Sequence, residues 1–342
     1  MSDIDVEGLS HWLRGALPAL LPVTRLEKFP GGQSNPTYQL DAGGKNFVLR
    51  RQPFGVLLPS AHAVDREFRL LEALEPAGFP APRPVAICDD PAIIGSKFYI
   101  MERVEGRTFW DGALPQLARD DRRLVYDAMI DTLAALHMID HDAVGLGDFG
   151  APGNYLERQV HRWTKQYRAA QTDDIAEVEQ LIAWLPVTIP QQGRRAIIHG
   201  DYRIDNLIFA PEAAREAAVI DWELATIGDP LADFAYFALA WIMPHDGGSG
   251  LVGIDLEDAG IPSLPEAIKR YCDRTGRRDV PELHWYFAFN LFRLVGIIQG
   301  IKRRILDGNA SSASAAEKVA QLGSLAKLGW QQARLACSKR PI

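Results

Sequence analysis

Cysteine is scarce in this chain, with Cys88, Cys272 and Cys337 far apart among 342 residues and in no metal-like spacing. That argues against a disulfide framework and against thiolate zinc ligation, and fits inert thiols in a reducing compartment. A basic excess is lacking too. Lys and Arg number 37 against 44 Asp and Glu, net charge −7, which argues against a phosphate-backbone partner, so nucleic acid is not expected. The longest apolar run, Phe234 to Met243, is too short to span a bilayer. The opening MSDIDVEGLS has neither the basic nor the apolar region of a signal peptide, so no membrane partner and a cytoplasmic location are expected. No G-x-x-x-x-G-K-[ST] phosphate loop occurs, and no internal repeat or low-complexity tract.

What is present is an ordinary globular composition, 47% hydrophobic and 24% charged, at a length that suits two domains or one bilobal unit. Leu9, Trp12, Leu13, Ala16, Leu17 and Leu20 recur at helical spacing, predicting an amphipathic helix closed by Pro22. Turn-rich FPGGQSNPTYQL and DAGGKNFVLRR then read as a hairpin preceded by a glycine-rich loop. A helix carrying Val64, Phe68, Leu71 and Leu74 on one face follows, and strand-like runs at Val85–Cys88 and Lys97–Met101 complete a small α/β lobe. After MERVEG long helical patterns take over: Leu124–His137, Tyr155–Arg168, Ile175–Leu185, Leu231–Met243, Pro265–Arg274 and Leu283–Leu306. Only AIIHGDYRIDNLIFA and AAVIDWELA look like strands there, and Gly308–Lys318 reads as a connector between helices. The expected fold is α+β and bilobal, with a β-rich lobe over residues 1–104 and a mainly helical lobe over 105–342.

The densest chemical signal is His199-Gly200-Asp201, then Asn206, then Asp221 at the end of an apolar strand. Phosphoryl transfer needs a carboxylate to accept the nucleophile's proton and oxygen ligands to hold Mg²⁺ against the phosphates. H-G-D-x-x-x-x-N keeps the spacing of base and metal ligand found in the protein-kinase H-R-D-x-x-x-x-N loop. A lone Asp in a turn is more often a cap or an Asx-turn; three residues at matching spacing favour the chemistry. Glu223, two residues past Asp221 on an extended segment, points the same way and reads either as a further metal contact or as a salt-bridge partner. Arg203 reads either as a contact to phosphate or anionic substrate, or as a partner of Asp205.

HGDYRIDN, VIDWELATIGDPLADFAY and GGQSNPTYQL together resemble the aminoglycoside phosphotransferase and choline kinase-like superfamily over nearly the whole chain. FVLRRQPFGVLLPSAHAVDREFRLL and IQGIKRRILDGNASSASA are most similar to kinase-like domains found near, or fused to, acyl-CoA dehydrogenases. The resemblance implies a protein-kinase-like fold, ATP and Mg²⁺, and a small-molecule hydroxyl substrate. It implies Asp201 as catalytic base, Asn206 and Asp221 as Mg²⁺ ligands, His199 as a brace of the loop, and Asp233 as the carboxylate that ties down its backbone. In the small lobe it makes Gly31, Gly32, Gln33, Ser34 and Asn35 the phosphate-covering loop, where glycine lets N–H groups approach phosphate oxygens. Arg50 stands where a lysine is expected. It would contact the α/β-phosphates and pair with Glu67, as a bulkier, permanently charged fork. Met101, Glu102 and Val104 fit the interlobe strand that hydrogen-bonds adenine, with Met101 as gate.

The resemblance leaves three readings: an active kinase of a small hydroxylated metabolite, a nucleotide-binding pseudokinase suggested by Arg50, and a protein kinase. The third lacks D-F-G and A-P-E with an activation segment between them. Acceptors in such a family range from aminoglycosides and choline to hydroxyacyl groups, and fold analogy does not choose among them. A basic set on the long helix, Arg293, Lys302, Arg303 and Arg304, reads either as compensation of the helix dipole or as the lining of a cleft for an anionic acceptor, a hydroxyacyl-CoA or hydroxy acid. The second option, with the resemblance, suggests a functional link to an acyl-CoA dehydrogenase.

Overall fold

In the computed structural model the described residues are 4–29, 35–55, 62–212, 215–308 and 315–338. The N-terminal region is a five-stranded antiparallel sheet in the order β1-β2-β3-β5-β4, formed by β1 (Val23–Lys28), β2 (Thr37–Ala42), β3 (Lys45–Arg51), β4 (Pro84–Cys88) and β5 (Phe98–Glu102). Alternation assigns its two faces. Tyr38, Leu40, Phe47, Leu49, Phe98 and Ile100 are buried with Leu9 and Leu13 of α1 (Val6–Ala16). Tyr99, Met101 and partly buried Val48 face the other way, into the core that holds Phe68 and Leu71 of α2 (Val64–Leu74). Arg50 lies directly opposite Tyr99 in the β3–β5 register, so the same alternation that buries Leu49 sends Arg50 to the α2 face.

The opening helix is shorter than its apolar spacing suggests. Asp5 caps it by accepting from the Glu7 and Gly8 N–H groups, and it ends at Ala16, because Pro18 cannot extend it and starts a 3₁₀ turn.

The C-terminal region is helical: α3 (Arg119–Met138), α4 (Tyr155–Ala170), α5 (Ala176–Trp184), α6 (Pro230–Ala238), α7 (Leu256–Ala259), α8 (Leu264–Thr275), α9 (Leu283–Leu306), α10 (Ala315–Ala320) and α11 (Leu322–Ser338). Two short ribbons interrupt it. The strand β6 (Ala196–Ile198) pairs with β9 (Thr226–Gly228), and β7 (Leu207–Phe209) pairs with β8 (Glu216–Val219). The fully buried α6 ends at Ala238 and passes into a 3₁₀ turn at Leu239–Trp241 instead of running to Met243. Arg107 and Phe209 exchange backbone hydrogen bonds (2.8 and 2.9 Å), stitching the segment after β5 to β7. Among the described residues, no helix is long and apolar enough to cross a membrane.

Candidate active site

The β6–β7 and β8–β9 connections lie side by side and carry the residues singled out by spacing. Between β6 and β7 the chain turns at Gly200 with φ 82°, where a Cβ would sit 2.8 Å from Leu224 O. Only glycine suits both the left-handed backbone and that close approach. Asp233 of α6 accepts from the N–H groups of His199 (2.7 Å) and Gly200 (2.9 Å). His137 Nε2 lies 3.3 Å from the same carboxylate. Burial acts to raise Asp233, yet His137 and these backbone donors hold its carboxyl below the ordinary range. His199 serves as a brace. Its Nδ1 accepts from the Asp201 N–H (3.2 Å) while Nε2 donates to Ile220 O (2.9 Å), a pattern that fits the neutral Nε2–H tautomer.

The ring of His199 therefore joins the loop to the residue before Asp221, and the Ile220 N–H donates to Asn206 O (2.9 Å). Asn206 and Asp221 are thus fixed as neighbours by backbone. Asn206 Nδ2 donates to Asp201 O (2.9 Å) and Oδ2 (3.1 Å). Asp201 Oδ1 accepts from the Tyr236 hydroxyl (2.6 Å). Asp221 itself is left-handed, φ 68° and ψ 58°, a conformation that Asp tolerates better than most side chains.

On β3, Arg50 sits among three carboxylates. Its Nε lies 3.1 Å from Glu67, and its Nη2 lies 2.7 Å from Asp221 and 3.4 Å from Glu223. Glu67 also accepts from Tyr99 Oη (3.1 Å) and Asn35 Nδ2 (2.7 Å). Burial pushes Glu67 up, to about 7, against the lowering by Arg50. The expected Arg50–Glu67 pair is present, and Glu223 belongs to the same cluster. Gly31, Gly32, Gln33 and Ser34 lie outside the described residues; Asn35 is buried against Glu67.

Met101 is buried opposite Val48 and Pro84. The Glu102 side chain pairs with Arg83, and its N–H donates to Arg83 O (2.9 Å). Val104 follows outside any strand, where the chain leaves the sheet.

Arg203 pairs with Asp205 (2.8 Å) and lies 3.4 Å from Asp201 Oδ1. It also lines a cavity of about 110 Å³ with Ile204, Tyr236, Phe237, Met243 and Leu294. No carboxylate lines that cavity among the described residues. The basic residues of α9 do not gather at a cleft. Arg293 is buried and donates to Gly200 O. Lys302 pairs with Asp173, and Arg303 donates to Gln171 O (2.9 Å), so both tie down the α4–α5 connection, and Arg304 is exposed. Spacing alone missed Tyr236 and the brace role of Arg293. The offset of Tyr236 from Asp233, one helical turn, was the available signal.

Whether Mg²⁺ suits this lip can be judged from the donors. Asn206 and Asp221 offer hard oxygens, and a single guanidinium faces three carboxylates, leaving negative charge for a cation to offset. Among the described residues no three His, Cys, Asp or Glu side chains cluster as a metal cage. Mg²⁺ needs none, since it takes one or two protein oxygens and completes its shell with water and phosphate.

Residues 25–286 match the model of the phosphotransferase enzyme family. The chain is 44% identical to acyl-CoA dehydrogenase family member 10 of Mus musculus over 96% of its own length and 31% of that protein's. It is 42% identical to family member 11 of Homo sapiens over 84% of its own length and 37% of that protein's. The chain therefore spans only about a third of these relatives. Among solved structures, a protein of Ralstonia eutropha JMP134 provisionally named an aminoglycoside phosphotransferase superposes with TM-score 0.87 at 40% identity, covering 97% of this chain and 99% of that one. An aminoglycoside phosphotransferase of the (4)-Ia type, in ternary complex with ADP and hygromycin B, shares the fold at TM-score 0.62 and 16% identity, covering 93% and 97%.

Proposed function

Because the chain belongs to the phosphotransferase enzyme family, we propose that it moves the γ-phosphate of Mg·ATP onto a small-molecule hydroxyl. Asp201 is the base, Asn206 and Asp221 are the metal ligands, and Arg50 contacts the α/β-phosphates. The observation that carries this reading is the joining of Asp201, Asn206 and Asp221 through Ile220 and His199. Held by Asn206 and Asp221, Mg²⁺ would offset the charge of the phosphate oxygens. Asp201, held by Tyr236 of the cavity wall, accepts the acceptor's hydroxyl proton. Arg50 reaches from the sheet to Asp221, so phosphates entering between them would share its five donors. Met101, Glu102 and Val104 border the adenine, and Gly31, Gly32, Gln33 and Ser34, with Asn35, form the phosphate-covering loop. Bound ADP in a protein of the same fold supports the nucleotide assignment.

The acceptor we propose is anionic, a hydroxyacyl-CoA or hydroxy acid. Support comes from the cavity beside Tyr236, whose lining is largely apolar, carries Arg203 as its one charged side chain and has no carboxylate to greet a polycation. The names of the relatives point the same way, and an acyl-CoA dehydrogenase acting on the same acyl chain is the partner this implies. The second reading, an aminoglycoside kinase, rests on the name of the Ralstonia protein. A pseudokinase is disfavoured by the retention of all three loop residues. A competition assay with Mg·ATP decides among them. Phosphorylation of hydroxyacyl-CoAs or hydroxy acids with kanamycin-like compounds ignored is expected; the reverse preference sinks the anionic acceptor, and no ATP turnover with any acceptor sinks the enzyme.

A further inference from the structure

Asp233 and Tyr236 stand one turn apart on α6 and both face the catalytic loop, but they take hold of different parts of it. Asp233 accepts from the backbone N–H groups of His199 and Gly200. Tyr236 donates to the Asp201 side chain, 2.6 Å from Oδ1. Arg293 reaches over from α9, donates to Gly200 O, and sets its guanidinium 4.8 Å from the centre of the Tyr236 ring and 5.7 Å from that of Trp163. Tyr236 and Arg293 are both buried. Burial pushes the Tyr236 phenol well above its ordinary range, so it stays a donor. Tyr236 also forms part of the wall of the cavity proposed for the acceptor.

We propose that Tyr236 is a positioning residue for phosphoryl transfer, its hydroxyl fixing the Asp201 carboxylate so that a free lone pair faces the acceptor, with Arg293 holding the Tyr236 ring in register with the loop. This rests on Asp201 being the base. A carboxylate on one Cβ can turn about χ2, and its two oxygens offer about four acceptor directions. Asn206 takes one direction on Oδ2 and Tyr236 takes one on Oδ1, which leaves a defined remainder. Without the phenol, Arg203 Nε, at 3.4 Å from Oδ1, is the nearest donor able to close in and occupy that oxygen. Arg293 acts one step further back. Its cation–π contact needs only the ring, and its hydrogen bond to Gly200 O sets the loop height relative to that ring.

Tyr236→Phe separates these two parts, since it removes the hydroxyl and keeps the ring. The test is steady-state turnover of Mg·ATP with water as the acceptor, for wild type, Tyr236→Phe, Arg293→Lys and Asp201→Asn, with melting temperatures of each. We expect kcat of Tyr236→Phe to fall by about tenfold or more, because misorienting a reacting group costs on that order, with the ATP KM and the melting temperature unchanged. Arg293→Lys should lose less, and its effect should be smaller still in the Tyr236→Phe background, because both act through the same carboxylate. A Tyr236→Phe enzyme within about twofold of wild-type kcat, beside an inactive Asp201→Asn, overturns the positioning role alone. Wild-type turnover in Asp201→Asn overturns the base assignment beneath it. A loss in Tyr236→Phe that comes with a lowered melting temperature and a raised KM marks Tyr236 as structural and also overturns the proposal.

Discussion

The His199–Asp201 loop and the Arg50 corner are held by opposite means. At the loop, the polar groups of residues 199–201 are held from several elements at once. Asp233 of α6 takes N–H groups, Arg293 of α9 takes a carbonyl, and His199 ties the loop to Ile220. At the corner, one guanidinium serves Glu67, Asp221 and Glu223 together, at distances from 2.7 to 3.4 Å. The first arrangement over-determines a geometry, as the proposed role of Asp201 as a base would require. In the second, one cation is shared among several acceptors, so a phosphate oxygen could replace one carboxylate in its shell while the others stay, as the proposed nucleotide contact would need.

If the loop is over-determined, removing its central partner should be severe. Asp233→Ala leaves two buried N–H groups and His137 without their acceptor, and breaking such a buried pair costs about 3–5 kcal/mol. Chemical denaturation should show that loss together with abolished turnover; a stable, active variant would dissolve the contrast. The corner should give a milder and graded answer. Arg50→Ala is expected to raise the ATP KM or lower kcat, and Arg50→Lys to keep part of the activity, since lysine supplies the charge without the fork. Calorimetry showing identical ATP binding in the alanine variant would reduce Arg50 to an ion pair.

The smallest effect on activity is expected away from both regions, at Glu216 of β8. Burial pushes its carboxyl up to about 7, against lowering by a backbone N–H and Thr132. The folded chain then holds a proton that the unfolded chain gives up, so stability falls as pH rises from the ordinary carboxylate range through about 7. Glu216→Gln should be more stable than wild type at pH 8 by on the order of 2 kcal/mol, with the gap closing towards pH 5. Thermal melts at the two pH values check this, and turnover should not change.

The two regions also differ in how far they could be read from sequence. The loop was legible because its residues are close in the chain and H-G-D-x-x-x-x-N has few other uses. The Arg50–Glu67 pair was legible only through the family resemblance, which implies a cation on that strand paired with a carboxylate of the helix that follows. What stayed hidden depends on elements distant in sequence. Tyr236 looks like one more core aromatic in a run buried on all sides. Arg293 falls in a helix whose other basic residues serve the α4–α5 connection, so spacing grouped it with the wrong neighbours. The helix α11 was missed because its buried side includes Gly329, Gln332, Ala333 and Ala336, small or polar residues with little apolar signature. At Gly329 a Cβ would lie 3.3 Å from Leu291 Cβ, so that composition reflects close approach to α9.

The most direct test of the account compares Asp201→Asn with wild type in a single pair of measurements, Mg·ATP affinity by calorimetry and transfer of label from γ-labelled ATP to a hydroxyacyl-CoA. Asparagine is nearly isosteric but cannot take the hydroxyl proton, a role worth roughly 10²–10⁴ in rate. The account predicts unchanged affinity and transfer reduced by that factor. Transfer at the wild-type rate in Asp201→Asn would contradict it.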